Sequence, residues 1–367
     1  MTIFASIDLG TDNLLPPIQG SRIAIAMSGG VDSSVAAALL KGAGYEVFGL
    51  TGWLMEGSGK CCDGGMLDAA RVCEILGIEH QSLDLRKFFQ SRIVNPYLFS
   101  YQQGRTPVPC MPCNTEVKWG SLLEYSMTLG ATHLASGHYA RLLKKECRLC
   151  IGRASNLNKD QSYMLWGLTQ DQLSRTVFPL ANLGKDQIRE LAKEFKLPNW
   201  DKGESQDLCF IPGKPREYLA ERLGIRLGVI KHIATGEILG QHSGIHLFTV
   251  GQRKGIGLAN LEAYYVVKLD ALENVVYVGE KSYTCSRALI AEAENWQLKQ
   301  EDSFEALVKT RYNEEAVPAL VQSKTDQTFE VTFKTPEPNI APGQAAVCYD
   351  LNNHHLIGGG WIKEAIP

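Results

Sequence analysis

The run Ser28-Gly29-Gly30-Val31-Asp32-Ser33-Ser34 limits the possible folds of this chain more than any other stretch. It follows Arg22-Ile23-Ala24-Ile25-Ala26, an apolar run that predicts a buried strand. It opens Ser33 to Leu40, where Val35, Ala36, Leu39 and Leu40 predict a helix. A strand, a glycine turn and a helix in that order make an anion site. The glycines let the main chain approach a phosphate without Cβ hindrance, and the helix N-terminus offers unpaired N–H groups and partial positive charge. Ser28 and Ser33 add hydroxyl donors, and Asp32 is a candidate ligand for Mg²⁺. A lone Gly-Gly also closes an ordinary strand-to-helix turn. Ser, Asp and Ser around it shift the reading to a phosphate loop.

The loop is not a Walker A motif, because no lysine follows its glycines. It resembles instead the SGGxDS pyrophosphate loop of the N-type ATP pyrophosphatases, which adenylate a substrate oxygen. The expected fold class is therefore α/β, a doubly wound parallel sheet of that type. Strands are expected near Arg22 to Ala26, Glu46 to Leu50, His80 to Leu83 and His133 to Ser136. Helices are expected from Met66 to a stop at Gly77 and from Asn114 to Leu129.

A chain of 367 residues exceeds what one core usually organises. Residues 1–20 read as an N-terminal extension and 21–213 as the catalytic domain. After Phe210-Ile211-Pro212-Gly213 the pattern shortens to His246–Val250, Tyr264–Leu269 and Val275–Val278, a small mixed α+β linker domain over 214–283. Residues 284–367 read as a C-terminal β-barrel, with strands near Phe304–Thr310, Phe329–Phe333 and Ala345–Tyr349. Turn signals at Pro336-Glu337-Pro338-Asn339 and Pro342-Gly343 separate them.

No run of about 18 apolar residues is present, and the first twenty residues carry no basic residue, so a cytoplasmic protein without membrane contact is expected. The net charge of −3 and pI near 6.3 do not advertise nucleic-acid binding. Any RNA contact then rests on local clusters such as Arg141 to Arg148, Gln252-Arg253-Lys254 and Lys309 to Tyr312, which also read as solvated faces. Ten cysteines in such a chain point to reduced thiols.

Thr106 to Asn114 is a proline-stiffened segment that brings Cys113 to the start of the expected helix. There the dipole favours thiolate, the nucleophilic form. Cys209 closes the same domain. The thiols admit three readings: buried structural cysteines, a metal site begun by the Cys110/Cys113 pair, or a catalytic pair that carries sulfur and closes a disulfide.

Seven segments occur in an order similar to the tRNA-specific 2-thiouridylase family: Ser28–Ser34, Thr106–Trp119, Ala135–Arg141, Lys159–Tyr163, Ser205–Ile211, Thr249–Gly255 and Pro342–Val347. The resemblance implies ATP-dependent sulfur insertion at uridine 34 of the tRNA anticodon, with persulfide sulfur from a cysteine desulfurase or a relay protein. Cys113 matches the nucleophile and Cys209 the persulfide carrier. Ala26, Met27, Ser28, Gly29, Gly30, Val31, Asp32 and Ser33, with Gly52 and Gly137, match the ATP site. Val108, Pro109 and Cys110 match the target-base segment. His138, Lys159, Asp160, Gln161, Arg311, Tyr312 and Gln344 match tRNA-contacting positions, and Arg253 and Lys254 add cations for the anticodon arm. A monomer is the expectation.

The target-base segment departs from the family's usual Asn-Pro-Asp or Asn-Pro-Cys by reading Val108-Pro109-Cys110, which removes the asparagine side chain. An iron–sulfur cluster on Cys110, Cys113 and Cys209 stays open as an alternative to the persulfide route. So do another SGGxDS enzyme that forms a C–N bond and a non-catalytic nucleotide- or RNA-binding module.

Overall fold

In the computed structural model of the chain, Arg22–Ala26 forms strand β1 and buries Ile23, Ala24 and Ile25 completely. Such burial requires neighbours on both edges and cover on both faces. β2 (Glu46–Trp53) and β4 (His133–Ala135) flank β1 in parallel, with Ile25 opposite Gly49 and Ala135. β3 (Glu79–Asp84) pairs with β2 on one side. The antiparallel hairpin β5 (Ala140–Lys145) and β6 (Arg148–Arg153) stands apart, and the two-residue β7 (Thr176–Val177) completes the sheet in the order β3-β2-β1-β4-β7. Helix α1 (Val31–Gly42) joins Ala69, Val72 and Cys73 of helix α2 (Asp63–Leu76) and Ile188 and Ala192 of helix Lys185–Glu194 in one apolar core.

Strand order reverses at β1, between β2 and β4. Ligands of open parallel sheets bind at such a switch point, beyond the carboxyl ends of the strands. The Ser28 loop leaves β1 there, and Ser136-Gly137-His138 leaves β4 there.

The structure describes residues 17–56, 63–203, 208–258, 263–324 and 327–367. Most of the expected extension over 1–20 lies outside these residues, as do Ser205, Gln206 and Asp207. No described helix is long and apolar enough to cross a membrane. The chain divides into two compact units, one of residues 1–93, 110–210 and 354–356 and the other of 94–109, 211–353 and 357–367.

The second unit begins its own cores after helix Pro215–Leu223. β8 (Gly228–His232), β9 (Ile238–His242), β10 (Tyr265–Asp270) and β11 (Val275–Gly279) form a sheet in the order β10-β11-β8-β9 around Ile230, Val266, Val276 and Val278. The strand expected at His246–Val250 is a single 3₁₀ turn, Ile245–Leu247, followed by loop. His246, Phe248 and Val250 are buried in alternation, so the period of two reflects packing against the sheet without a ladder.

β12 (Cys285–Trp296), β13 (Ser303–Lys309), β14 (Val317–Ser323), β15 (Thr328–Pro338), β16 (Ala345–Tyr349) and β17 (Leu356–Ile366) close a barrel in the order β12-β15-β14-β13-β16-β17. Alternate residues such as Phe329, Val331 and Phe333 fill it. The turn expected at Pro336 is instead part of β15. The β12/β15 register jumps between Ser286 and Ala288, so Pro336 occupies the irregularity where no ladder N–H is required.

Candidate active site

Gly29 has φ +68°, and a Cβ there would lie 2.5 Å from the Gly65 carbonyl oxygen, so only glycine fits between β1 and α2. Gly30 caps α1 without a side chain. The hydroxyls turn inward: Ser33 and Ser34 donate to the Gly30 carbonyl at 3.1 and 2.9 Å, while the Ser28 and Ser33 oxygens stand 3.3 Å apart. Met27 and Val31 are buried, and Met27 N–H donates to the Leu50 carbonyl beside Ala26 at the end of β1. Gly137 packs against the start of α1, where a Cβ would come within 2.8 Å of the Ser33 nitrogen. Gly52 lies in β2, and its missing side chain would press on Leu54.

Four side chains from outside the loop motif brace it. Asn199 donates to the Gly29 carbonyl at 3.1 Å and to Ser34 Oγ at 2.9 Å, and Lys202 donates to the Gly29 carbonyl while pairing with Asp68. Lys185 Nζ lies 2.7 and 2.9 Å from the two carboxylate oxygens of Asp32, and the Tyr139 hydroxyl donates to Oδ1 at 2.7 Å. Asp32 is thus committed to an ammonium and a hydroxyl, which does not fit the Mg²⁺ role expected of it.

The thiol segment differs from its expectation. The helix begins at Cys110, one turn before Cys113, and runs to Thr128. From Cys113 to Leu122 it is a π-helix, with Leu123 N–H reaching back five residues to the Lys118 carbonyl. Gln172 Nε2 takes up the Thr115 and Trp119 carbonyls at 3.0 Å each, support that a widened turn needs. In an α-helix, residues five apart point about 140° away from each other. The i→i+5 repeat instead brings Lys118 round toward the face of Cys113.

Lys118 Nζ donates to Asn114 Oδ1 at 2.9 Å and lies 3.4 Å from His138 Nε2. An ammonium has no lone pair, so Nε2 accepts and Nδ1 carries the proton toward Ser136 Oγ at 2.8 Å. Burial, with Lys118 adding to it, holds His138 well below its ordinary pKa and keeps the ring neutral. Its ring also packs beside Trp119 and Phe178. The expected tRNA-contacting histidine is therefore engaged inside the first unit.

Burial pushes the Cys113 thiol up to about 12, against the lowering expected from a helix N-terminus. Lys118 pulls it back, and Cys209 and Cys110 raise it further. Cys110 is open to solvent yet surrounded by enough protein that desolvation raises its thiol too, with Cys209 next in weight. Cys209 is near enough for its charge to weigh on both Cys110 and Cys113, Cys110 also weighs on Cys113, and no described cysteine is in a disulfide. Among the described residues no three His, Cys, Asp or Glu side chains come together as a metal-holding group, so the cluster alternative finds no ligand set here.

Asp160 is 5 % exposed and accepts from Arg153 Nε, the Ala154 N–H and the Ser162 hydroxyl. Breaking such a buried pair by removing one partner costs about 3–5 kcal/mol. Asp160 therefore holds the Lys159 loop from inside. Gln161 accepts from the Tyr139 N–H and Lys159 is half-buried.

In the second unit Arg253 and Lys254 are exposed, Tyr312 is half-buried, and Arg311 donates to the Val250 carbonyl at 2.8 Å. Gln344 donates to the Thr106 carbonyl at 2.8 Å, and Thr106 N–H donates to the Pro342 carbonyl. Both main-chain groups of Thr106, just before half-buried Val108 and buried Pro109, are thereby fixed to the barrel.

Three family models match the chain in succession: a tRNA methyl transferase HUP domain over residues 21–213, a tRNA methyl transferase PRC-barrel domain over 216–280 and an aminomethyltransferase β-barrel domain over 286–362. Whole-length relatives carry a different chemistry in their names. The tRNA-specific 2-thiouridylase MnmA of Nostoc punctiforme is 44% identical over 350 residues, covering 94% of this chain and 99% of the relative. The protein of the same name from Microcystis aeruginosa is 44% identical over 353 residues with the same coverage. That from a Synechocystis species is 42% identical over 348 residues, covering 93% and 96%.

Proposed function

Because the chain belongs to the tRNA-specific 2-thiouridylase family, we propose that it acts as an ATP-dependent tRNA sulfurtransferase that makes 2-thiouridine at position 34. The observation that carries this reading is one unit holding both a phosphate loop and the thiols Cys110, Cys113 and Cys209, the last near enough to weigh on the other two. A C–N-bond-forming enzyme on the same loop would leave those thiols without a task.

ATP lies with its phosphates on Ser28 to Ser33 and its adenosine beside Gly52 and Gly137. The O2 atom of the extruded uridine attacks the α-phosphate and pyrophosphate leaves, so C2 carries AMP as leaving group. The terminal sulfur of a Cys209 persulfide adds to C2 and expels AMP. Cys113 thiolate then attacks Cys209 Sγ, which forms the Cys113–Cys209 disulfide and releases the thiolated base. Those two cysteines supply the two electrons, and an external dithiol restores them. Cys110, in place of an acid, faces the target base and leaves proton transfer to other groups. No step is assigned to Mg²⁺ on Asp32.

Single-stranded anticodon bases are inexpensive to extrude, so recognition rests on shape, phosphates and stacking. Lys159, Gln161, Arg253, Lys254, Arg311 and Tyr312 are the side chains for that contact, over domains 21–213, 214–283 and 284–367. Sulfur arrives from a cysteine desulfurase or a relay protein, and the enzyme works as a cytoplasmic monomer.

The test is mercury-gel retardation of wobble-uridine tRNA after incubation with the protein, Mg·ATP and a persulfide-charged desulfurase. A retarded band from wild type that disappears with Cys209→Ser is expected. Absence of the band from folded wild-type protein overturns the reading.

A further inference from the structure

The phosphate loop contains no lysine, and no cation occurs between Arg22 and Lys41. A triphosphate held only by main-chain N–H groups and hydroxyls would be poorly neutralised. The fold brings two ammonium groups to the loop from far along the chain. Lys202 is tied to Asp68 of α2 and to the Gly29 carbonyl, which makes it a brace. Lys185 is different. Its partner is Asp32, a residue of the loop itself, and its side chain is only 12 % exposed.

Lys185 is also the first residue of its helix, capped by Gly184. A cation at the positive end of a helix dipole is locally unfavourable, and such breaches of local preference gather at functional sites. Asp32, in the first turn of α1, thus takes its ammonium from the first residue of a second helix.

We propose that Lys185 is the phosphate-binding cation of the ATP site and that the Asp32 carboxylate, steadied by Tyr139, holds its place until the triphosphate arrives. This rests on the ATP-dependent reading above. It adds a binding residue that the SGGxDS motif does not contain, and it accounts for Asp32 as the internal counter-ion of that residue.

The experiment is calorimetric titration of the full chain, without tRNA, with α,β-methylene-ATP, pyrophosphate and AMP. Lys185→Met is expected to weaken the ATP analogue and pyrophosphate at least about tenfold, the effect of losing one charge-assisted contact, while AMP binding changes little. Lys185→Arg is expected to retain most of the affinity. Should Lys185→Met not fold, Asp32→Asn/Lys185→Met removes both charges and is compared with Asp32→Asn alone; the same tenfold loss for pyrophosphate is expected. Equal pyrophosphate binding within either pair, or equal weakening of all three ligands, overturns the proposal. Failure of wild type to bind the ATP analogue overturns the ATP reading and this proposal with it.

Discussion

The phosphate loop and the thiol segment lie in the same unit, and the protein treats them in opposite ways. At the loop the charges are paired in the resting state: Asp32 with Lys185 and Tyr139, Lys202 with Asp68, and the serine hydroxyls with the Gly30 carbonyl. At the thiols the reactive form is withheld. Burial raises Cys113 to about 12, and the lowering influence of Lys118 does not overcome it. An anion site can be built ready for use because its ligand brings the missing charge. A nucleophile that stayed ionised without substrate would be open to oxidation.

That contrast can be broken at either end. The largest effect is expected from Gly29→Ala, which forces a Cβ into the Gly65 carbonyl and a non-glycine residue into positive φ. ATP affinity should fall at least about a hundredfold, in line with a backbone strain of a few kcal/mol, while iodoacetamide labelling of Cys113 keeps its wild-type pH profile. A changed profile would mean that the two sites are one coupled structure.

A smaller effect is expected from Lys118→Met. The sign follows from the groups around Cys113: Lys118 favours its thiolate, while burial, Cys209 and Cys110 oppose it. Wild-type labelling, read by peptide mass spectrometry, should climb with pH across the alkaline range. Without Lys118 the profile should move about one unit higher, so labelling at a fixed lower pH slows about tenfold and ATP affinity stays as it was. An unmoved profile would remove Lys118 from the account of the thiol.

The sequence made the framework of this contrast legible for physical reasons. β1 and α1 were visible because complete burial demands the apolar run Ile23-Ala24-Ile25 and the small, aliphatic face from Val35 to Leu40. Cys113 was visible from its segment, but its environment was not. The π stretch depends on Gln172 reaching Thr115 and Trp119, and nothing near Cys113 in sequence encodes that reach. Lys185, Asn199 and Lys202 escaped notice because side chains more than 150 residues from the loop leave no mark in its spacing. β7 is too short to show a period, and the β5/β6 hairpin carries its basic residues on strands that read as a solvated face.

The most direct test of separable sites is pyrophosphate release by Cys113→Ser, followed with wobble-uridine tRNA, Mg·ATP and a persulfide donor, alongside assay of 2-thiouridine. The account predicts a single-turnover burst of tRNA-dependent pyrophosphate release near the wild-type initial rate, after which the base stays joined to Cys209, while free 2-thiouridine falls to background. Loss of both together in a folded variant would contradict it, because the thiol would then be needed for adenylation as well as for sulfur transfer.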